Sequence, residues 1–281
     1  MSVAAVPVAD AHPAPRPAAP RASLTVQGKR SLPISTASTA CILALWYVAT
    51  RWGWASPLFL PSPGEVLTQF RLVATEGYAG DTLWGHLGVS LLRVTTALAI
   101  ATTTAVPLGL AMGSSRWVKG VFDPPLEFYW PLPPLAYLPL MIIWFGIGET
   151  AKILLLTMAI FAPVCFAAQA GVRSVPPERV HAALSLGASR RQVFVHIIAP
   201  TALPEILTGI RIGIGSGWST LVAAELVAAT KGIGYMIMSA AQFLATDVVF
   251  VGIATIAACA FAFAAALRFL ERRLVPWKGR S

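Results

Sequence analysis

Four charged side chains interrupt long apolar stretches of the sequence: Arg93, Glu127, Arg211 and Glu225. At the centre of a bilayer such a group costs about 2.5–3.5 kcal/mol on insertion scales, so each needs a partner or a polar path to face. Arg211, Trp218 and Glu225 recur every seven residues and share one helix face. Arg211 and Glu225 stand about 21 Å apart along that helix, which rules out a direct pair. An outer pair of Arg93 with Glu225 and an inner pair of Glu127 with Arg211 fit the order of the chain. These five residues are candidates for lining a polar pathway across a membrane. The rival reading is fixed ion pairs that hold a helix bundle.

Reactive chemistry is harder to find. Ser216 sits between glycines in Gly-Ile-Gly-Ser-Gly-Trp-Ser, but an intramembrane serine protease pattern needs Gly where Ile214 stands, and the last span has no His to act as base. There is no His-Glu-x-x-His, so no catalytic residue and no metal site is assigned. Cys41, Cys165 and Cys259 lie in separate apolar runs without a second Cys or a His at ligand spacing, and read as packing residues. No GxxxxGK[ST] occurs, so the chain has no P-loop for ATP, and any energy must come from a partner.

The elements that position these residues are membrane spans. Of 281 residues 56% are hydrophobic and 12% charged, against about 25% charged in soluble domains. Apolar runs mark six spans: 34–52, 87–112, 124–147, 153–172, 206–228 and 248–270. Residues 1–31, rich in Ala, Pro and basic residues, read as a disordered cytoplasmic tail, and 32–281 as one all-α membrane domain. The first run lacks a small-residue cleavage site and reads as a retained span. Ser62 and Glu65 form a capping box with Pro63 at the first helical position, starting a short helix in the outer interface. The third span carries Pro124, Pro125, Pro131, Pro133, Pro134 and Pro139, so no regular helix is expected through its first half. Broken backbone at membrane depth survives where it is buried in protein or lines a cavity, so this segment reads as bordering a pathway, the rival being a kinked but purely structural helix. Gly209, Gly213 and Gly217 permit close helix packing, either as a fixed pair or as a moving contact.

The net charge of +9 is scattered between apolar runs rather than gathered on one face, which excludes nucleic acid as partner. Fifteen Lys and Arg fall in segments on the side of the tail and four on the other, which puts both termini in the cytoplasm. The largest inner loop, about 173–200, is not featureless. Pro177 suits a helix start, Gly187 a left-handed residue after a helix end, and Ser189 with Gln192 a second capping box. The pattern predicts helix, sharp turn, helix, with Pro200 as the stop. Ala182 and Ala183 leave a surface for close approach, flanked by Leu184 and Leu186.

Ala182, Ala183, Gly187, Pro200 and Pro204 match the loop of the ABC importer permeases, Glu-Ala-Ala, three residues, Gly and a later Pro, and the chain resembles that family. The resemblance implies a type I importer permease with six transmembrane helices, set multi-pass in a bacterial cell inner membrane. It implies that Glu178, His181, Ala182, Ala183, Leu184, Leu186, Gly187, Ala188, Ser189 and Arg190 dock on an ATP-binding subunit. The usual Glu is His181 here, with Glu178 one turn earlier on the same face. Segments at 56–67, 131–155, 203–232, 243–249 and 272–277 are similar to the taurine-importing members, and permeases for alkanesulfonates or nitrate look alike. The implied partners are a dimer of ATP-binding subunits that holds ATP and Mg, a periplasmic or extracellular solute-binding protein, a second copy of this chain, and membrane lipid. The chain itself needs no cofactor.

Overall fold

The computed structural model describes residues 32–54 and 56–276. The expected tail at 1–31 lies outside the described residues. Among them every regular element is helical: α1 Leu32–Arg51, α2 Pro63–Thr75, α3 Leu83–Ser114, α4 Arg116–Tyr129, α5 Leu138–Phe145, α6 Glu149–Arg173, α7 Pro177–Ser185, α8 Arg190–Val193, α9 Ala199–Ala228, α10 Ile233–Gln242 and α11 Thr246–Leu274. Four are long and apolar enough to cross a bilayer: α3, α6, the continuous Arg190–Ala228 stretch and α11. The pair Arg116–Tyr129 and Pro134–Phe145 qualifies together but is bent by 92°. The expected first span falls on α1, where side chains are described only from Thr36. From Trp46 onward the chain packs as one unit.

Small residues set the spacing at the centre of this unit. On α3, Ala97, Ala101 and Ala105 are fully buried, one turn apart on one face. That face runs parallel to α6: Arg93 meets Glu149 near both starts, and Met112 meets Cys165 further along. Helix α9 lies antiparallel to α6. A Cβ on Gly209 would come within 2.3 Å of the Ala167 side chain, so the glycine repeat serves a tight helix pair. Leu155, Leu156, Ile160 and Leu221 fill the resulting core. A second core joins Val73 of α2 to Leu83, Ile233, Met236, Val248 and Val251.

Because α3 and α6 are parallel, the segment between them must carry the chain from the far end of one to the near end of the other. It crosses in spite of its bend. The break is not where the first two prolines stand: α4 runs through Pro124 and Pro125. The chain turns at 130–133, where Pro131 and Pro133 follow the helix end, and resumes as a 3-10 turn over Pro134–Tyr137. Pro200 does not stop the second loop helix either. The backbone widens to a π turn over Phe194–Ile198, with the Ala199 N–H donating to the Phe194 carbonyl. This wide turn accommodates a residue that lacks an N–H, and the helix continues into α9.

Helix α10 has no counterpart in the expected spans. It follows a glycine start at Gly232 and lies between α9 and α11.

Candidate functional site

Three arrangements emerge from this fold: a buried polar cluster, an exposed helical turn, and a cavity at the broken span.

The cluster forms where the starts of α3 and α6 meet the end of α9. Arg93, only 2% exposed, donates Nε and Nη2 to the two oxygens of Glu149, both at 2.6 Å. Its Nη1 donates to Glu225 Oε1 at 2.7 Å and to the Lys231 carbonyl at 2.8 Å. Glu225 also accepts from Ser90 Oγ at 2.8 Å and from the Gly234 N–H at 2.8 Å. Lys152 closes the set on Glu149 at 3.2 Å. Two cations thus balance two anions, and a forked guanidinium–carboxylate pair is the strong geometry for such a contact.

The same cluster caps α10. The N–H groups of Gly232, Ile233 and Gly234, orphans at a helix start, donate to His86 Nδ1, Ser90 Oγ and Glu225 Oε2. With Nδ1 accepting, the His86 proton resides on Nε2, which donates to the Tyr78 carbonyl at 2.9 Å. A carboxylate at this end also meets the positive end of the α10 dipole. Gly232 has φ +126, and a Cβ there would lie 2.5 Å from the Glu225 carboxyl. Above the cluster, Lys231 donates to Asp81 at 3.0 Å and, with the Thr82 N–H, holds the Asp81 carboxyl below the usual carboxylate range.

The loop helix α7 starts at Pro177 and buries none of its residues. Gly187 follows it at φ +88, and Ser189 and Gln192 cap α8 reciprocally. Leu186 is 89% exposed and Leu184 42%. Glu178, His181, Ala182 and Arg190 are exposed, while Ala183 and Ala188 are half-buried. A depression of about 460 Å³ opens beside the turn, lined by Leu186, Gly187, Ala188, Gln192 and His196 among others. The turn thus holds apolar side chains out into the open.

At the broken span, Tyr129, Trp130 and Tyr137 face Ser216, Ser219 and Thr220 of α9 across a cavity of about 280 Å³ with no charged side chain in its lining.

The expected outer pair of Arg93 with Glu225 is present. The inner pair of Glu127 with Arg211 is not: Arg211 bonds Glu271 instead, and Glu127 is exposed. The last turn of α11 lies beside Arg211, so an acidic residue just beyond the expected sixth span takes the role. Trp218 shares its face with Glu225 but is buried against Phe263 rather than lining the cavity. Sequence reasoning missed Glu149, Ser90, His86 and Glu271. A signal for two of them exists, because His86, Ser90 and Arg93 stand at i, i+4 and i+7 on one helix face. No group of three or more metal-ligating side chains occurs among the described residues.

Residues 105–276 match the family model described as "Binding-protein-dependent transport system inner membrane component". The taurine transport system permease protein TauC of Escherichia coli K12 is 55% identical over 251 residues, 89% of this chain and 91% of that protein. SsuC of the same organism, described as a putative aliphatic sulfonates transport permease protein, is 38% identical over 84% of this chain and 88% of its own length. A solved amino acid ABC transporter shares the fold at TM-score 0.55, with 20% identity over 74% of this chain and 96% of that one.

Proposed function

The chain belongs to the family of inner membrane components of binding-protein-dependent transport systems, and from that premise we propose that it is the permease subunit of a taurine importer. The identity of 55% to TauC over nearly the whole of both chains carries this reading. The permease works as a pair of copies, with two ATP-binding subunits on the cytoplasmic side and a solute-binding protein outside. Fifteen basic residues on the side of the loop and the tail support that orientation.

The helical turn at Glu178–Arg190 is the coupling element. Its exposed leucines and its small Ala182–Ala183 surface fit a groove on the ATP-binding subunit, and ATP binding there shifts the pathway between inward and outward states. Taurine carries one ammonium and one sulfonate, so it is net neutral. The hydroxyls and aromatic rings around the cavity at the broken span suit such a solute, since they offer hydrogen bonds without a fixed charge. Arg93 and Glu225 stand at the outer end of the route, while Arg211 and Glu127 stand towards the inner end.

The similarity to SsuC favours longer sulfonates as the second reading. ATP-dependent uptake in vesicles with purified partners, comparing taurine, longer alkanesulfonates and nitrate, tests both. Uptake of taurine well above the others is the expected result. Uptake that persists without ATP overturns the importer reading, and preference for a longer sulfonate overturns the taurine assignment.

A further inference from the structure

We propose that the inner ends of α9 and α11 bind an anionic phospholipid of the cytoplasmic leaflet, its phosphate among arginines and an acyl chain in the apolar groove beside them. This rests on the orientation given above and not on the solute carried. A cavity of about 430 Å³ is lined by Arg211, Arg268, Glu271, Arg272, Val275 and Pro276. Arg211 donates to Glu271 within it, so among the described lining side chains three guanidiniums stand with one carboxylate, a net of two positive charges. Arg268 rests its guanidinium over the Phe261 ring, 5.7 Å from the centroid, a contact made by the face of the cation.

Beside this cavity, overlapping in depth and extending towards α3, runs an apolar groove of about 650 Å³ whose lining includes Leu98, Leu207, Ile210, Ile214, Leu267 and Leu270. The two sites interleave: Ile210 and Arg211 are consecutive on α9, as are Leu267 and Arg268 on α11. Depth agrees with a lipid. Between Asp247 and Arg268 α11 carries no charged residue, and the 21 steps between them measure about 31 Å, close to the roughly 30 Å of a hydrocarbon core. The backbone of Arg268 and Arg272 therefore stands at the inner edge of the hydrocarbon core, and the groove beside it reaches from that edge into acyl-chain depth. A basic pocket between spans on the cytoplasmic side is a setting in which anionic headgroups bind. A soluble anion would use the arginines and leave the groove empty, whereas a phospholipid fills both.

The test takes the full-length permease in mild detergent with equal amounts of phosphatidylglycerol and phosphatidylcholine, and reads retained lipid by native mass spectrometry. A net of two positive charges gives an expected preference of about 30-fold for phosphatidylglycerol. The double variant Arg268→Gln, Arg272→Gln loses that preference, and Ala266→Phe, which fills the groove, reduces retention of both lipids. Excess glycerophosphoglycerol, the headgroup without acyl chains, leaves the bound lipid in place. Equal retention of the two lipids by the unaltered protein overturns the proposal without recourse to any variant. So does displacement by glycerophosphoglycerol or inorganic phosphate, which marks a soluble-anion site. Efficient disulfide formation between copies of a Leu270→Cys variant overturns it too, because a second copy then occupies the groove.

Discussion

The buried polar cluster and the exposed helical turn are both built around capped helix starts, yet they use their polar groups in opposite ways. At the start of α10 the backbone donors reach His86, Ser90 and Glu225, side chains more than 130 or only nine residues away in sequence, and everything is buried. At the start of α8 the partners are Ser189 and Gln192, three residues apart and exposed. The first arrangement holds distant helices in register, and its loss would leave the buried Glu225 carboxylate without its partners. The second fixes only its own shape, which leaves a surface free for a partner. The two regions can thus be told apart by the sequence distance and burial of their caps.

Removing Arg93 gives the largest effect expected from this contrast. Arg93→Ala leaves the buried Glu225 carboxylate without its cation, while the exposed Glu149 keeps Lys152, and truncation of one member of a buried pair costs about 3–5 kcal/mol. Melting in detergent should fall sharply; an unchanged transition would mean that the cluster does not fasten the bundle. Uptake corrected for membrane abundance separates the two roles, since a gating role lowers transport per molecule and a purely fastening role lowers only abundance.

Gly234→Ala is the next test of the fastening region. Its Cβ would lie 2.7 Å from the Glu225 Cβ and 2.8 Å from the Val222 carbonyl, an overpacking worth about 1–3 kcal/mol. Melting reads this loss directly, and a neutral outcome would show that the start of α10 yields easily.

Gly187→Val sharpens the other half of the comparison. Nothing lies within 4 Å of a Cβ at Gly187, so the penalty is only backbone strain at φ +88, about 1–2 kcal/mol. The bundle should melt almost as before while co-purification of the ATP-binding subunit, stimulated ATP hydrolysis and uptake fall together. Normal values of all three would remove the turn from coupling. Ser189→Ala acts in the same direction and more weakly, through loss of one cap worth about 1 kcal/mol.

The smallest effect is acid sensitivity at Asp81. Its carboxyl is held below the ordinary value by Lys231, so the contact contributes above the unfolded carboxylate pKa and fades as pH falls through the lowered folded value. Asp81→Asn should flatten the acid limb of the melting curve slightly; an unaltered limb would mean that the bond to Lys231 adds nothing in water.

Legibility in the sequence divides along the same line. The capping boxes at Ser62 and Ser189, the helix start at Pro177 and the positive φ at Gly187 are local, and each is present as read. The pairing of Arg93 with Glu225 is accessible because charge inside an apolar run demands a partner and only a few are available. Glu149 and Glu271 escape because they lie at span ends, where a carboxylate has no need of explanation until the fold brings Arg93 or Arg211 beside it. Pro124 and Pro125 mislead for a related reason: a proline tells where a helix loses a bond, while neighbouring packing decides where it turns.

The wide turn at Phe194–Ile198 lets the helix run past Pro200, so Arg190–Ala228 is a single rod of 39 residues, about 58 Å from tip to tip. The exposed turn is at one tip and Glu225 close to the other, some 54 Å away at about 1.5 Å per residue. Over that length a tilt of about 5° sweeps the far tip through about 5 Å. No hydrogen bond stretches so far, so the grip of Arg93 and Ser90 on Glu225 must either ride with the rod or let go.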